Sequence, residues 1–186
     1  ELPTISFIGR LVREKGADLL PDLFKKMLSS DAEINFILLG TGDQQLHEIF
    51  ANMISNHMGY FDARLEYNEK LAHQMYAGSD FILMPSRVEP CGLNQMFAMR
   101  YGTVPVVRSV GGLKDTVVDI SEEGGYGITF KEFSIEAAED AIYRAVDLYA
   151  HDKKYSQVLS TIMKLDFSWK SSAIEYEKMY KALTLK

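Results

Sequence analysis

Cysteine is almost missing from this chain: Cys91 stands alone among 186 residues, so no intrachain disulfide can form and a reducing compartment is expected. The four histidines, His47, His57, His73 and His151, are scattered without ligand spacing, and no metal site is expected. No apolar run approaches membrane-spanning length, and no basic, then apolar, then small-residue segment opens the chain. A cytoplasmic location is the resulting expectation. Positive charge is not in excess either. The net charge of -6 argues against a nucleic-acid or membrane-surface role, because both call for a basic face. Internal repeats and low-complexity runs are absent. Glu1-Leu2-Pro3 leads almost directly into a strand-like run without a start methionine, so the chain is read as a piece of something longer.

What remains is the composition of a globular protein, 47% hydrophobic and 11% aromatic, of a length that suits one well-buried domain, 1–186. Short β-branched or apolar runs alternate with segments of helical period. That pattern predicts α/β architecture: a Rossmann-like, six-stranded parallel sheet with helices on both faces and a C-terminal helical tail over 152–186. Strands are expected at 4–8, 35–39, 64–67, 80–84, 104–107 and 127–130. Helices are expected around 19–28, where Pro21 sits near a helix start, and over 44–55, 70–78, 93–101, 113–120, 134–149, 153–163 and 168–183.

In an open parallel sheet, ligands bind in the crevice beyond the strand carboxyl ends. Two segments fall there. Pro85-Ser86-Arg87-Val88-Glu89-Pro90-Cys91-Gly92-Leu93-Asn94-Gln95 follows the fourth strand, and Ser109-Val110-Gly111-Gly112-Leu113 follows the fifth. A carboxylate beside free backbone N–H groups suits an anionic, hydroxyl-rich ligand such as a sugar carrying phosphates. Arg10, Arg13 and Lys15 cluster after the first strand, giving an acidic protein one local anion site. The alternative for Arg10 and Lys15 is a solvated loop with a salt bridge to Glu14. Gly92, Leu93 and Asn94 are expected to open the fourth helix and offer it N–H groups without intrahelical partners, as any helix start would. Gly111 and Gly112 either let backbone approach a ligand closely or form a plain turn. Cys91 has no histidine partner and is expected as a small packed residue. A dinucleotide-binding dehydrogenase is set aside, because Gly40-Thr41-Gly42-Asp43 lacks the third glycine and follows the second strand.

Taken together, Ser-Arg-x-Glu-Pro-Cys-Gly-Leu-x-Gln at 86–95 and Gly-Gly-Leu at 111–113 resemble the donor-sugar site of glycogen and starch synthases. Gly9-Arg10-Leu11-Val12-Arg13-Glu14-Lys15-Gly16 resembles their Arg-Leu-x-x-x-Lys-Gly segment, and Asp166-Phe167-Ser168-Trp169 the beginning of their last helix. Many transferases of this fold carry a second glutamate eight positions after the first. Here that position is Phe97, as in the synthases.

The resemblance implies one half of a GT-B glycosyltransferase, the carboxy-terminal domain that binds a nucleotide sugar. It implies retaining transfer of glucose from ADP-glucose, or UDP-glucose, to an α-1,4-glucan acceptor bound through an amino-terminal domain that this chain lacks. By the same resemblance, Arg10 and Lys15 hold the diphosphate, Glu89 contacts the donor glucose, Tyr67 stacks on the base, and Gly92, Leu93, Asn94, Gly111 and Gly112 line the phosphates and sugar. The Asp-x-Asp element of metal-dependent sugar transferases is missing, so no metal and no further cofactor are expected. Other readings are a stand-alone nucleotide-sugar binding or regulatory module without turnover, and a UDP-sugar transferase of the same fold.

Overall fold

The computed structural model describes residues 2–184. Six strands, β1 (Thr4–Ile8), β2 (Asn35–Leu39), β3 (Phe61–Arg64), β4 (Phe81–Met84), β5 (Val104–Arg108) and β6 (Ile128–Phe130), form one parallel sheet in the order β3-β2-β1-β4-β5-β6. The order reverses direction between β1 and β4. A crevice therefore opens beyond the carboxyl ends of these two strands, where the chain turns to opposite sides of the sheet.

Among the described residues, seven helices pack about the sheet, α1 (Leu20–Leu28), α2 (Gln44–Asn56), α3 (Glu69–Gly78), α4 (Asn94–Tyr101), α5 (Gly111–Thr116), α6 (Ile135–Ala150) and α7 (Asp152–Ile162), and an eighth, α8 (Trp169–Thr184), follows them without a buried residue. The side-chain alternation of the strands divides the core. Phe81 and Leu83 of β4 and Val104 and Val106 of β5 pack into a large cluster with α1, α2, α6 and α7, whereas Ile82, Met84 and Val107 pack with Tyr76, Ala98 and Leu113 on the other face. Burial on both faces is why β4 reads as a continuous apolar run and not as an alternation. Phe24 stacks on Phe36 with ring centroids 4.3 Å apart, and Phe61 closes the group at 5.9 Å from Phe24.

Two elements differ from the sequence expectation by more than one residue at an end. The third strand covers 61–64 instead of 64–67, because Phe61 and Ala63 are the residues whose side chains reach the core while Asp62 and Arg64 face out. Tyr67 accordingly lies in the loop beyond β3. The helix expected at 113–120 begins at Gly111 and stops at Thr116, ahead of Val117 and Val118, and Asp119 turns inward. There its carboxylate accepts hydrogen bonds from the Ser121 and Thr129 N–H groups and from Arg144 Nη2 at 2.5 Å, tying the loop after α5 to β6 and α6.

Candidate functional site

The loop after β1 and the loop after β4 meet over the crevice. Arg87 fastens them: its guanidinium donates to Asp18 at 2.5 and 2.8 Å and to the Arg13 carbonyl at 2.7 Å, and it lies 3.7 Å from the centre of the Phe133 ring. The Asp18 carboxyl is held below its ordinary range chiefly by that hydrogen bond, and the Arg87 pKa is raised by the same contact. The backbone N–H groups of Arg87 and Val88 both donate to the Glu14 carbonyl, at 2.8 and 3.2 Å.

This clamp brings Lys15 to Glu89. The Lys15 ammonium donates to Glu89 Oε2 at 2.5 Å, and the Ser86 hydroxyl donates to the same oxygen at 3.1 Å. Glu89 is only 5% exposed, so its charge requires these partners. Lys15 thus pairs across 74 positions with Glu89, in place of the local bridge to Glu14 considered from the sequence. Glu89 is a buried carboxylate paired with one cation at the sheet's switch point.

Beside the pair lies a cavity of about 330 Å³ at the ends of β1, β2 and β3. Arg10, Tyr67 and Asn94 line it, with Phe97, His73 and Tyr76 as an aromatic wall. Lys15 and Glu89 adjoin this cavity without lining it, and Arg10 lines it. Tyr67 is 84% exposed in the loop beyond β3, so its ring is not part of the core. Tyr76 is buried, and that burial pushes its phenol up to about 12, so it stays protonated at neutral pH.

Leu93 caps α4 and Asn94 begins it, as the sequence implies. The Asn94 side chain also ties α4 to the end of β1, its Nδ2 donating to the Ile8 carbonyl at 2.6 Å. Cys91 is exposed and not packed beneath the loop. Gly111 and Gly112 are placed by a contact that the sequence did not reveal. A Cβ on Gly111, which has φ +45°, would lie 2.1 Å from the Glu89 carbonyl, and one on Gly112 would lie 1.9 Å from that of Cys91. Gly112 N–H also donates to the Glu89 carbonyl at 3.0 Å. The glycine pair therefore lets the β5 loop press against the β4 loop and support Glu89 from behind.

Sequence reasoning missed Arg87, Asp18, Ser86, His73 and Tyr76. Only Arg87 and Ser86 carried a signal, since they sit inside the 86–95 motif; the Asp18 contact spans 69 positions and leaves no local trace. Gly40-Thr41-Gly42-Asp43 forms no phosphate loop, because Asp43 caps α2 with its own carboxylate, accepting from Gln45 and Leu46 N–H groups at 2.8 and 3.2 Å. Among the described residues, no three metal-ligating side chains converge.

Sheet order and crevice define a Rossmann-like domain that takes its ligand at the switch point between β1 and β4. The chain belongs to the family described as glycosyl transferases group 1, whose model matches residues 1–158. It is similar to a glycogen synthase of Flavobacterium johnsoniae, 47% identical over 96% of this chain, and to one of Bacillus anthracis, 41% identical over 98%. Each match covers 38% of the relative, so the chain spans little more than a third of those proteins. The fold superposes over its whole length on the catalytic domain of starch synthase IV from Arabidopsis thaliana, bound to ADP and acarbose, with a TM-score of 0.87, 34% identity and 39% of that chain covered. An Anabaena protein in complex with UDP-glucose shares the fold alone, at 17% identity and a TM-score of 0.68 over 88% of this chain and 43% of that one.

Proposed function

We propose that the chain is the donor-binding half of a retaining glucosyltransferase that extends an α-1,4-glucan from ADP-glucose. The observation that carries this reading is the buried Glu89, held by Lys15 and Ser86 at the switch point beside a cavity bearing an exposed tyrosine. Similarity to glycogen synthases and to an ADP-bound starch synthase supports ADP as the nucleotide.

In this reading the base stacks on Tyr67 and the ribose rests in the cavity beside it. The diphosphate meets the N–H groups of Gly92 and Leu93, the guanidinium of Arg10 and the ammonium of Lys15. These groups neutralise the charge that grows on the leaving diphosphate as the glycosyl bond breaks, without a divalent metal. Glu89 faces the donor glucose, accepts from its hydroxyls and stabilises positive charge near the anomeric carbon. A covalent glucosyl intermediate on Glu89 is the less favoured role, since no second carboxylate partners it in the 85–95 segment.

The acceptor and further catalytic groups belong to the part of the longer relatives that this chain does not span. Helix α8 has no buried residue, and Trp169, Tyr176 and Tyr180 share one of its sides, an apolar face suited to that part. The short span also favours a second reading, a binding module without turnover of its own.

Calorimetry of the chain with ADP, UDP and their glucose conjugates, with and without EDTA, tests the proposal. One ADP site unaffected by EDTA is expected. Failure to bind any nucleotide would overturn the reading, and tighter binding of UDP would move the donor to UDP-glucose.

A further inference from the structure

Gln95 is fully buried in the first turn of α4, where a polar side chain requires partners. Its Nε2 donates to the Gly92 carbonyl at 3.0 Å and to Thr116 Oγ1 at 3.0 Å, and the Cys91 carbonyl lies at 3.4 Å. Two carbonyl oxygens around one atom identify it as the amide nitrogen. The other end of the amide, Oε1, is buried with no hydrogen-bond partner among the described residues. An orphaned acceptor costs stability, so a residue kept only to fill this space would be better apolar.

What Gln95 does fix is the direction of two peptides. In a planar trans peptide the C=O and the following N–H point opposite ways, and no peptide here is cis. Drawing the Gly92 carbonyl inward turns the Leu93 N–H outward, and the longer hold on the Cys91 carbonyl acts likewise on the Gly92 N–H. Neither N–H has an acceptor among the described residues. Gly92, at φ +74°, allows this turn, and any Cβ there would meet Oε1 at 2.7 Å. The Thr116 hydroxyl that accepts from Gln95 itself donates to the Gly112 carbonyl at 2.6 Å, so one buried amide links both glycine loops.

We propose that Gln95 is a positioning residue for anion recognition: it holds the Gly92-Leu93 peptide with its N–H aimed at the distal phosphate of a nucleoside diphosphate. The inference rests on the functional reading above, that this loop receives the diphosphate. Gln95→Met keeps the volume and removes the amide. Its unfolding midpoint should stay close to that of the wild-type chain, because the lost bonds are offset by the lost orphan.

The affinity of Gln95→Met for ADP should fall by about 10- to 100-fold, the scale of hydrogen bonds to charged groups, while AMP, which lacks the distal phosphate, binds as before. An unchanged ratio of ADP to AMP affinity in the variant would overturn the positioning role. A wild-type chain that does not prefer ADP to AMP would instead remove the diphosphate from this loop. Titration of the wild-type chain followed by NMR makes the test independent of how the variant folds. The Leu93 amide proton should move downfield with ADP and not with AMP, and equal movement with both would count against the proposal.

Discussion

Glu89 and Tyr67 show how differently two residues of one site are fixed. Glu89 is immobilised by a cation, a hydroxyl and two glycine-permitted backbone contacts, whereas Tyr67 stands in solvent with its ring exposed. If Tyr67 stacks on a base, Tyr67→Ala should cost about 1 to 3 kcal/mol of ADP affinity and Tyr67→Phe little. Calorimetry on the three proteins checks this, and equal binding by the alanine variant would remove the stacking. Lys15→Ala combines two effects, the loss of a diphosphate contact and the exposure of Glu89 as a buried, uncompensated charge. It should weaken ADP binding by about 1.5 to 3 kcal/mol and also lower the unfolding midpoint. Arg10→Ala, at an exposed position, should weaken binding alone. Equal melting of the two variants would show that the Lys15–Glu89 pair does not support the fold.

At the scale of elements, the sequence was most legible where burial is two-sided. The strands at 4–8 and 35–39 stand where the apolar runs put them, and so, within a residue, do those near 81–84 and 104–108. The edge strand was displaced by three residues because only Phe61 and Ala63 are buried on it. Arg64 to Tyr67 carries as good a local pattern, and the choice is made by distant rings, Phe24 and Phe50. The end of α5 escapes the local pattern for a similar reason, since Asp119 is drawn into bonds with residues 10 and 25 positions away.

Burial alone would raise the Asp119 carboxyl, but hydrogen bonds from Ser121, Thr129 and Arg144 outweigh it and bring the pKa down to about 2. A pKa lowered by folding adds stability that is complete above the unfolded value near 4 and is lost as pH falls towards 2. The contribution is about 2 kcal/mol. Asp119→Asn should therefore be less stable at pH 7 and lose less on acidification between pH 4 and 2, as measured by urea unfolding at both ends of that range. Parallel pH profiles for the variant and the wild type would contradict this assignment.

For the whole molecule, the motif at 86–95 located the crevice, and sheet order explains why it could. The loops after β1 and β4 are neighbours only because the strand order turns between those strands. Contacts that join the loops, such as Arg87 to Asp18 and Lys15 to Glu89, cross about 70 positions and become visible only with the fold. Since the reacting bond would lie against a second domain, the 186-residue chain by itself should not incorporate glucose from ADP-glucose into glycogen. Measurable incorporation of radiolabelled glucose would show that this chain is sufficient for turnover.

Photolabelling of the chain with an azido-adenine analogue of ADP, followed by trypsin and mass spectrometry, decides whether ADP occupies the crevice beyond β1 and β4 with its base on Tyr67. Label is expected on the peptide Leu65–Lys70, suppressed by excess ADP. Label that ADP suppresses on the opposite side of the domain, at the cavity lined by Leu2, Ser29 to Glu33 and Tyr143, would contradict it.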